Sequence, residues 1–430
     1  MQHEIYNGFL NIIHPMKKIQ LLLASCLCVS LMAQTTYRTE IFQPNIKTLQ
    51  IGVVGVKLGL PILELNASGV LQVSFDEMSR EAHSYSYKVI HCNADWTPSS
   101  LNSSEYLSGF TTASITDYTT SLNTTYLYTH YSFLLPNNDL GFKISGNYVA
   151  IVYEDNKSDS PIAQACFSIV DPHVNISATV RGNTDTELSG KVQQLDFEVA
   201  LNGYAVRDAN EEVKVVVRQN NRIDNQVTEL KPTYFSNSKL SYINNKGLIF
   251  EGGNEYHRFD ISSVYAAGEG VSDIHFTSPH YDVLLNDTKI QASKPYQYDL
   301  DVNGKFIINM QNAQDDNTEA DYMLVHFNLP VKQPFFDGQL YLGGEFNYNQ
   351  LDNAVRMKYD GKTESYLQTV LLKQGGYNYQ YWFVPKGEQK ATCERVDGSF
   401  WQTKNEYTIY VYHRPWGERY DKLVGVKVVD

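Results

Sequence analysis

The sequence predicts an all-β protein built from tandem β-sandwich domains of immunoglobulin-like size. Apolar and polar residues alternate along many short runs, such as 71–77, and a side-chain period of two is the signature of a strand. Aromatic residues make up 13% of the chain, with 31 Tyr, and charged residues only 19%. This composition is typical of strands rather than of Lys- and Glu-rich helices. At 430 residues, the chain is long enough for two or three domains.

The N-terminal segment has the pattern of a secretory signal. Met16-Lys-Lys gives a basic start, residues 19–32 are apolar, and Ala33 offers a small-residue cleavage point. We therefore predict a signal peptide region over 1–33, with Met16 as the true start and cleavage near Ala33. An alternative is a lipoprotein signal ending at Cys26, but the apolar run before Cys26 is short and continues beyond it. The run is too short for a membrane span.

Cleavage at Ala33 leaves three cysteines, which are Cys92, Cys166 and Cys393. Three thiols cannot all pair. A Cys92–Cys166 bridge is one alternative, but we expect three free thiols because a chain of this length does not need disulfide staples.

Residues 37–171 are predicted to form the N-terminal sandwich. Strand patterns occur at 48–56, 71–77 and 126–135, and the runs 146–153 and 165–170 read as a hairpin around a polar loop. Strands at this spacing, without a helical period, indicate an antiparallel sandwich. Asp171-Pro172 closes the domain.

Residues 172–318 are predicted to form the middle β domain, with its clearest strands at 195–201 and 213–219, whereas 265–281 has no assignable pattern. The run Asp299-Leu-Asp-Val-Asn-Gly304 matches the first half of a calcium loop, but Met310 occupies the position that needs a bidentate Glu. We interpret Asn303-Gly304 as a type I′ turn instead and predict no metal.

Residues 319–430 are predicted to form the C-terminal sandwich, after an acidic stretch, 315–321, that reads as a solvated linker. The run Gly344-Glu-Phe-Asn-Tyr348 and the strand Gly376-Tyr-Asn-Tyr-Gln-Tyr381 resemble glycogen-binding-type carbohydrate modules of the early-set sandwich class. In that class a Trp stands at the position of Tyr348. This resemblance implies an alternative function, a secreted carbohydrate-binding protein, which requires Tyr348, Trp382, Trp401 and Trp416 to form a flat exposed row. The same rings are equally typical of a protein interface or a core.

The stretch 88–110 starts as a strand, with Tyr85, Tyr87, Val89 and His91 on one face, and stops at the proline-punctuated run 93–98. Asn102 and Glu105 have capping-box spacing. His91 and Cys92 are strand neighbours on opposite faces, so they cannot act as a base and a nucleophile together. A polar loop with aromatic residues that follows a strand is typical of a binding surface. We therefore predict that this loop contacts a partner, with Trp96 and Tyr106 as anchors. The alternative is a loop that folds back over the edge of its own sandwich.

Several function classes have no support in the sequence. The net charge is −13, and no basic stripe occurs, so nucleic acid is not an expected partner. No nucleophile elbow, zinc-ligand helix or phosphate loop occurs, and the acidic residues fall mainly in turns rather than as a glycosidase pair. We therefore predict a protein that is not an enzyme and needs no cofactor.

With these segments placed, most of 37–430 resembles the type IX secretion system plug proteins. The resemblance rests on Ser74-Phe-Asp-Glu, His91-Cys-Asn-Ala-Asp-Trp-Thr-Pro-Ser99, Phe250-Glu-Gly-Gly-Asn-Glu and Lys373-Gln-Gly-Gly-Tyr. It implies a periplasmic protein, peripheral to the inner face of the outer membrane, that plugs a large outer-membrane β-barrel translocon. The candidate contact residues are His91, Asp95, Trp96, Pro98, Ser99, Glu105, Tyr106, Gly109 and Phe110.

Overall fold

The computed structural model describes residues 35–184 and 186–430. Strands make up 45% of it and helices 5%, which confirms the predicted all-β class. The described helices are single turns, α1 (Ser103–Tyr106), α2 (Ala209–Glu212) and α3 (Asp316–Glu319), with 3₁₀ turns at Lys246–Leu248 and Glu345–Asn347. No helix of this part of the chain is long and apolar enough to cross a membrane. The predicted signal region and its Cys26 alternative lie outside the described residues.

The first sandwich lies between residues 40 and 170. Its strands are β1 (Glu40–Ile41), β2 (Ile46–Val53), β3 (Ile62–Glu64), β4 (Leu71–Glu77), β5 (Tyr85–Cys92), β6 (Leu107–Gly109), β7 (Thr112–Ser114), β8 (Asp117–Thr120), β9 (Thr129–Leu135), β10 (Leu140–Phe142), β11 (Gly146–Glu154) and β12 (Pro161–Val170). One sheet has the order β1-β12-β11-β5-β7, and the other β2-β4-β9-β8. The predicted hairpin is β11 and β12, which pair antiparallel.

Aromatic side chains fill the space between these two sheets. Tyr85, Tyr87, Val89 and His91 of β5 are buried, as their alternation predicts, while the residues between them are half-buried. The rings of Phe75 and Tyr131 stack with centres 5.2 Å apart. The Tyr-rich composition is therefore explained largely by the core.

The second sandwich contains β13 (Asn175–Arg181), β14 (Val192–Ala200), β15 (Val213–Gln219), β16 (Tyr234–Phe235), β17 (Lys239–Tyr242), β18 (Ile249–Glu251), β28 (Tyr407–His413) and β29 (Lys422–Val429). One sheet has the order β13-β14-β17-β16, and the other β15-β28-β29.

The third sandwich contains β19 (His257–Asp260), β20 (Val271–Thr277), β21 (His280–Leu285), β22 (Phe306–Ile308), β23 (Tyr322–Pro330), β24 (Gly338–Gly343), β25 (Lys358–Asp360), β26 (Ser365–Lys373) and β27 (Gly375–Pro385). Its sheets have the orders β20-β21-β23-β26-β25 and β19-β27-β22, with β24 also beside β27.

Strands from both sides of the predicted domain boundary, between residues 318 and 319, pair in the same sheets. β15 pairs with β28, almost two hundred residues later, β21 pairs with β23, and β22 pairs with β27. The second sandwich is thus made of two separated segments, with the third sandwich inserted between them. Local alternation identifies a strand but not its partner, because pairing over such a distance depends on the tertiary fold.

The structure shows the conformation of the Asn303-Gly304 turn and of the segments 265–281 and 315–321. Asn303 and Gly304 both have positive φ, 54° and 85°, as a type I′ turn requires. β22 begins two residues later, but the nearest preceding strand, β21, ends at Leu285, so the turn does not connect a hairpin. The unassigned segment 265–281 contains β20 and the start of β21. The stretch 315–321 is not a solvated linker: it contains α3, and Asp321 is 5% exposed.

Cys92, Cys166 and Cys393 are free, as expected. Cys92 lies on β5 and Cys166 on β12, with β11 between them. Two strand spacings separate these cysteines by about 10 Å, which exceeds the reach of a disulfide.

Candidate functional site

The loop that follows β5 is a tight turn, built by side chains of its own sequence. Asp95 accepts hydrogen bonds from the Thr97 amide at 3.0 Å and the Thr97 hydroxyl at 2.6 Å. Trp96, between Asp95 and Thr97 in the chain, has a φ of 64°, which is uncommon for a bulky residue. The Ser99 amide returns to the His91 carbonyl at 2.9 Å, so the loop closes on the end of its own strand.

The turn that comes next has the predicted capping box. The Glu105 carboxylate accepts from the Asn102 amide at 2.8 Å, as a capping box at the N-terminal end of α1 requires. The Asn102 amide and the Arg419 guanidinium hold the pKa of Glu105 below its usual range. Tyr106, the last residue of α1, is 6% exposed and packs against His91 and Tyr148 in the core of the first sandwich.

A buried carboxylate of the second sandwich holds this loop. Asp421, fully buried, accepts from the Ala94 amide at 2.9 Å and from the Arg414 guanidinium at 2.8 Å. Arg414 also donates to the Asn93 side chain at 2.6 Å. Since a buried carboxylate must be paired and hydrogen-bonded, this arrangement fixes the loop against the β28–β29 hairpin. We call it the first joint.

Two further contacts extend the first joint. Arg419 pairs with Glu105 and donates to the Ser100 carbonyl at 3.3 Å. The Tyr420 ring lies 5.4 Å from the His91 ring. A Cβ at Gly146, whose φ is +143°, would lie 2.3 Å from His91 Nε2, so only Gly fits beside this histidine.

The nine candidate contact residues therefore differ in position. His91 and Tyr106 are buried, Trp96, Pro98, Ser99 and Glu105 are half-buried, and Asp95, Gly109 and Phe110 are exposed. Tyr106 is buried and Trp96 is half-buried, so neither ring is freely exposed, and their role as contact anchors stays a prediction. The loop folds back and is covered by the second sandwich, which is close to the alternative that the sequence left open.

His91 and Cys92 point to opposite faces of their sheet, as predicted. His91 packs among Tyr106, Tyr148 and Tyr420, and Cys92 packs with Val149 and Ile151 on the other side. Burial lowers the pKa of His91 to about 4 and raises the pKa of the Cys92 thiol. A neutral thiol and a separate imidazole do not make a nucleophile–base pair.

A second joint connects the first and third sandwiches. Asp76 on β4 and Lys373 on β26 form a 2.6 Å ion pair whose side chains are 0% and 2% exposed. The Tyr322 hydroxyl donates to the same carboxylate at 2.7 Å, and His130 Nδ1 lies 2.6 Å from its other oxygen. Burial by itself would raise the pKa of Asp76, but Lys373 and His130 outweigh burial and lower it.

The second joint is not apparent from the sequence alone. Asp76 belongs to Ser74-Phe-Asp-Glu, and Lys373 begins Lys373-Gln-Gly-Gly-Tyr, so both lie in motifs that carry the family resemblance. The available signal was a charged residue on a predicted strand, because a charged side chain is rarely buried unless it is paired. Nothing local identifies the partner.

The pH dependence of stability provides a test of the second joint. Because the pKa of Asp76 is lowered in the folded state, its contribution is present above the unfolded pKa of about 3.9 and is lost as the pH falls through the folded pKa. We expect the difference in unfolding free energy between the wild type and Asp76→Asn to stay constant from neutral pH to about pH 4. It should then shrink toward zero. Urea titrations over this range measure it, and a difference independent of pH would contradict the role of Asp76.

The aromatic residues considered for sugar binding do not form a row. Trp382 is 4% exposed, and the Arg222 guanidinium lies 3.5 Å from its ring centre. The Tyr348 hydroxyl donates to the Leu49 carbonyl of the first sandwich at 3.2 Å. Trp401 is partly exposed, whereas Trp416 is 89% exposed on the loop between β28 and β29.

Two exposed aromatic residues belong to the chain segments that contribute to the first joint. Trp416 lies in the same loop as Arg419, and Phe110 follows α1 and β6 with 67% of its surface exposed. Gly109 turns the chain before Phe110 with a φ of +84°, and a Cβ there would lie 2.1 Å from the Asp139 carbonyl oxygen. The backbone thus presents Phe110 outward.

The fold and the two joints define the class of protein. It is an all-β protein in which three sandwiches are locked together by buried charged contacts, and residues 37–430 form one compact unit. Among the described residues, no group of three or more His, Cys, Asp or Glu side chains is placed to hold a metal ion.

Comparisons with known proteins identify the family. Residues 46–171 match the model of the type 9 secretion system plug protein 1st domain. A crystal structure of a hypothetical protein from Parabacteroides merdae is 42% identical, covers 92% of this chain and 100% of its own, and superposes with a TM-score of 0.90. No curated protein matches. The chain belongs to the type IX secretion system plug family.

Proposed function

We propose that this protein is a non-enzymatic periplasmic component of the type IX secretion system that plugs the periplasmic opening of the outer-membrane β-barrel translocon. The family match over 46–171 carries the proposal. The signal predicted at 1–33 supports a location in the periplasm, beside the inner face of the outer membrane.

The architecture supports the same role. A plug that closes a channel wide enough for large cargo must keep its shape, so its domains must not move apart. Domains joined by small polar interfaces are expected to move relative to one another. Here Asp421 and Asp76 are each fully buried between two sandwiches, and pulling the sandwiches apart would leave their buried charged partners unpaired.

The contact with the translocon is proposed to involve the exposed aromatic residues of the chain segments that contribute to the first joint, Phe110 and Trp416. Aromatic side chains dominate interface energies because they bury a large area with few rotatable bonds. A contact with few such anchors also remains releasable, which a reversible plug requires.

Deletion of the gene tests the sealing role. We expect the outer membrane to become permeable to small solutes that it normally excludes, because the channel is then open, while secretion continues. Uptake of a normally excluded dye, measured beside the export of a secreted substrate, provides both readouts. Restoring the wild-type chain should restore the barrier, and a deletion strain that stays impermeable would contradict the proposal. Co-purification with the translocon from detergent-solubilised envelope tests the partner separately.

A further inference from the structure

A cleft of about 680 Å³ opens where the three sandwiches meet. The first sandwich contributes β2 and the loop 54–61, the second contributes Arg218, Asn221 and Tyr410, and the third contributes β22 and the segment 345–349. Neither joint uses Arg218 or β22, so the cleft is a separate feature of the molecule.

Arg218 is a buried cation without an anionic partner. Its residue is 8% exposed, and its guanidinium lies 5.9 Å from the Trp96 ring centre and 5.7 Å from the Tyr410 ring centre. Nε donates to Gln226 at 3.1 Å. Within 35–184 and 186–430, its terminal nitrogens donate no hydrogen bond, and no carboxylate lies within salt-bridge distance.

The neighbouring Arg222 shows what Arg218 lacks. Arg222 is similarly buried, at 5% exposure, and forms a two-pronged pair with Asp224 at 3.0 and 2.6 Å. The terminal nitrogens of Arg218 are not fully enclosed by the protein, so they are accessible from the cleft, and the planar guanidinium fork matches a carboxylate. The empty fork of Arg218 therefore fits a carboxylate that enters through the cleft.

The acidic residues of the opposite wall are engaged elsewhere. Asp315 caps α3 by accepting from the Asn317 amide, and Asp316 accepts from the Met310 amide at 2.8 Å. Glu345 accepts from the Asn221 side chain at 3.2 Å. This wall of the cleft therefore supplies no carboxylate to Arg218.

A free strand edge lies in the same cleft. β22 is the last strand of its sheet. The Asn309 amide donates to the Gln374 carbonyl, and the Lys305 carbonyl accepts from the Asn378 amide. In an antiparallel ladder alternate residues face opposite sides, so the backbone groups of Phe306 and Ile308 face away from β27. Such an edge accepts an added strand.

We propose that this cleft binds an extended segment of a partner protein, with an Asp or Glu carboxylate held by Arg218 and its backbone paired with the edge of β22. The Trp96 and Tyr410 rings, with centres 5.9 and 5.7 Å from the guanidinium, add a cation–π attraction that helps to position it. The negative charge of the whole protein does not oppose this contact strongly, since exposed charges beyond about 10 Å are screened at moderate salt. The inference is independent of the proposed plugging role.

Fluorescence anisotropy with a short labelled peptide tests the proposal on the mature chain. The peptide alternates Thr and Val around one central Glu, and its twin carries Gln instead. We expect the Glu peptide to bind at least about tenfold more tightly, because a hydrogen-bonded charge pair is lost in the twin. Arg218→Met should abolish the preference, whereas Arg207→Met, at an exposed site outside the cleft, should preserve it. Methylation of alternate peptide amides should remove binding by blocking the strand edge.

Equal affinities for the Glu and Gln peptides would overturn the proposal, as would a preference that survives in Arg218→Met. Undiminished binding of the methylated peptide would overturn it too. If Arg218→Met fails to fold, as judged by thermal melting, Arg218→Lys replaces it; this variant keeps the charge but loses the fork, and should weaken the Glu peptide selectively. The Glu and Gln comparison on the wild type decides the question even without a variant.

Discussion

Asp76→Ala is expected to lower the free energy of unfolding by about 3–5 kcal/mol, because it leaves the Lys373 ammonium buried without its counter-charge. Lys373 is 2% exposed, and its nearest carboxylate is Asp76 at 2.6 Å. The Tyr322 hydroxyl loses the same acceptor, which adds to the cost. Urea denaturation followed by tryptophan fluorescence measures the change.

Two variants sharpen this test. Replacing both partners with apolar residues, Asp76→Leu with Lys373→Met, should recover much of the loss, because no unpaired charge remains. Glu154→Ala breaks an exposed pair with Lys157 and should change stability by no more than about 1 kcal/mol. A loss below about 1 kcal/mol for Asp76→Ala would mean that the second joint does not hold the first and third sandwiches together.

Trp416→Ala combined with Phe110→Ala is expected to weaken capture by the translocon strongly, while the melting temperature stays unchanged. A large interface anchor costs about 2 kcal/mol when truncated, which corresponds to about 30-fold in affinity. Both side chains are exposed, at 89% and 67%, so their removal leaves the core intact. Co-purification with the solubilised translocon, beside a thermal melt of the isolated variant, gives the two readouts.

Matched variants separate contact from folding. Tyr265→Ala removes another exposed aromatic ring, 94% exposed and outside the first joint, and should leave capture intact. Tyr106→Ala removes a buried ring and should lower the melting temperature, because a cavity remains in the core. If the double variant binds as well as the wild type, or if Tyr265→Ala is the variant that loses capture, the contact lies elsewhere on the protein.

The sequence by itself determined the class of fold and much of its local structure. Strand patterns in the sequence located β5, β11, β12 and β15. In β5 a side-chain period of two matches the alternating burial, whereas β11 is an apolar run that is buried on both faces. The same local logic located the capping box at Asn102 and Glu105, the Asn303-Gly304 turn and the opposite faces of His91 and Cys92. Each of these depends only on residues a few positions apart.

The tertiary structure alone decided which strands pair and which charges meet. β15 pairs with β28, Asp76 forms an ion pair with Lys373, and Asp421 accepts a hydrogen bond from Ala94. The partners are roughly two to three hundred residues apart in the chain. No local pattern encodes such partners, since a register or an ion pair is fixed only when the sandwiches pack. For the same reason the surroundings of the two proposed anchors could not be read from the sequence: Tyr106 lies in the core of the first sandwich and Trp96 lies against Arg218 of the second, while Trp416 remains in solvent.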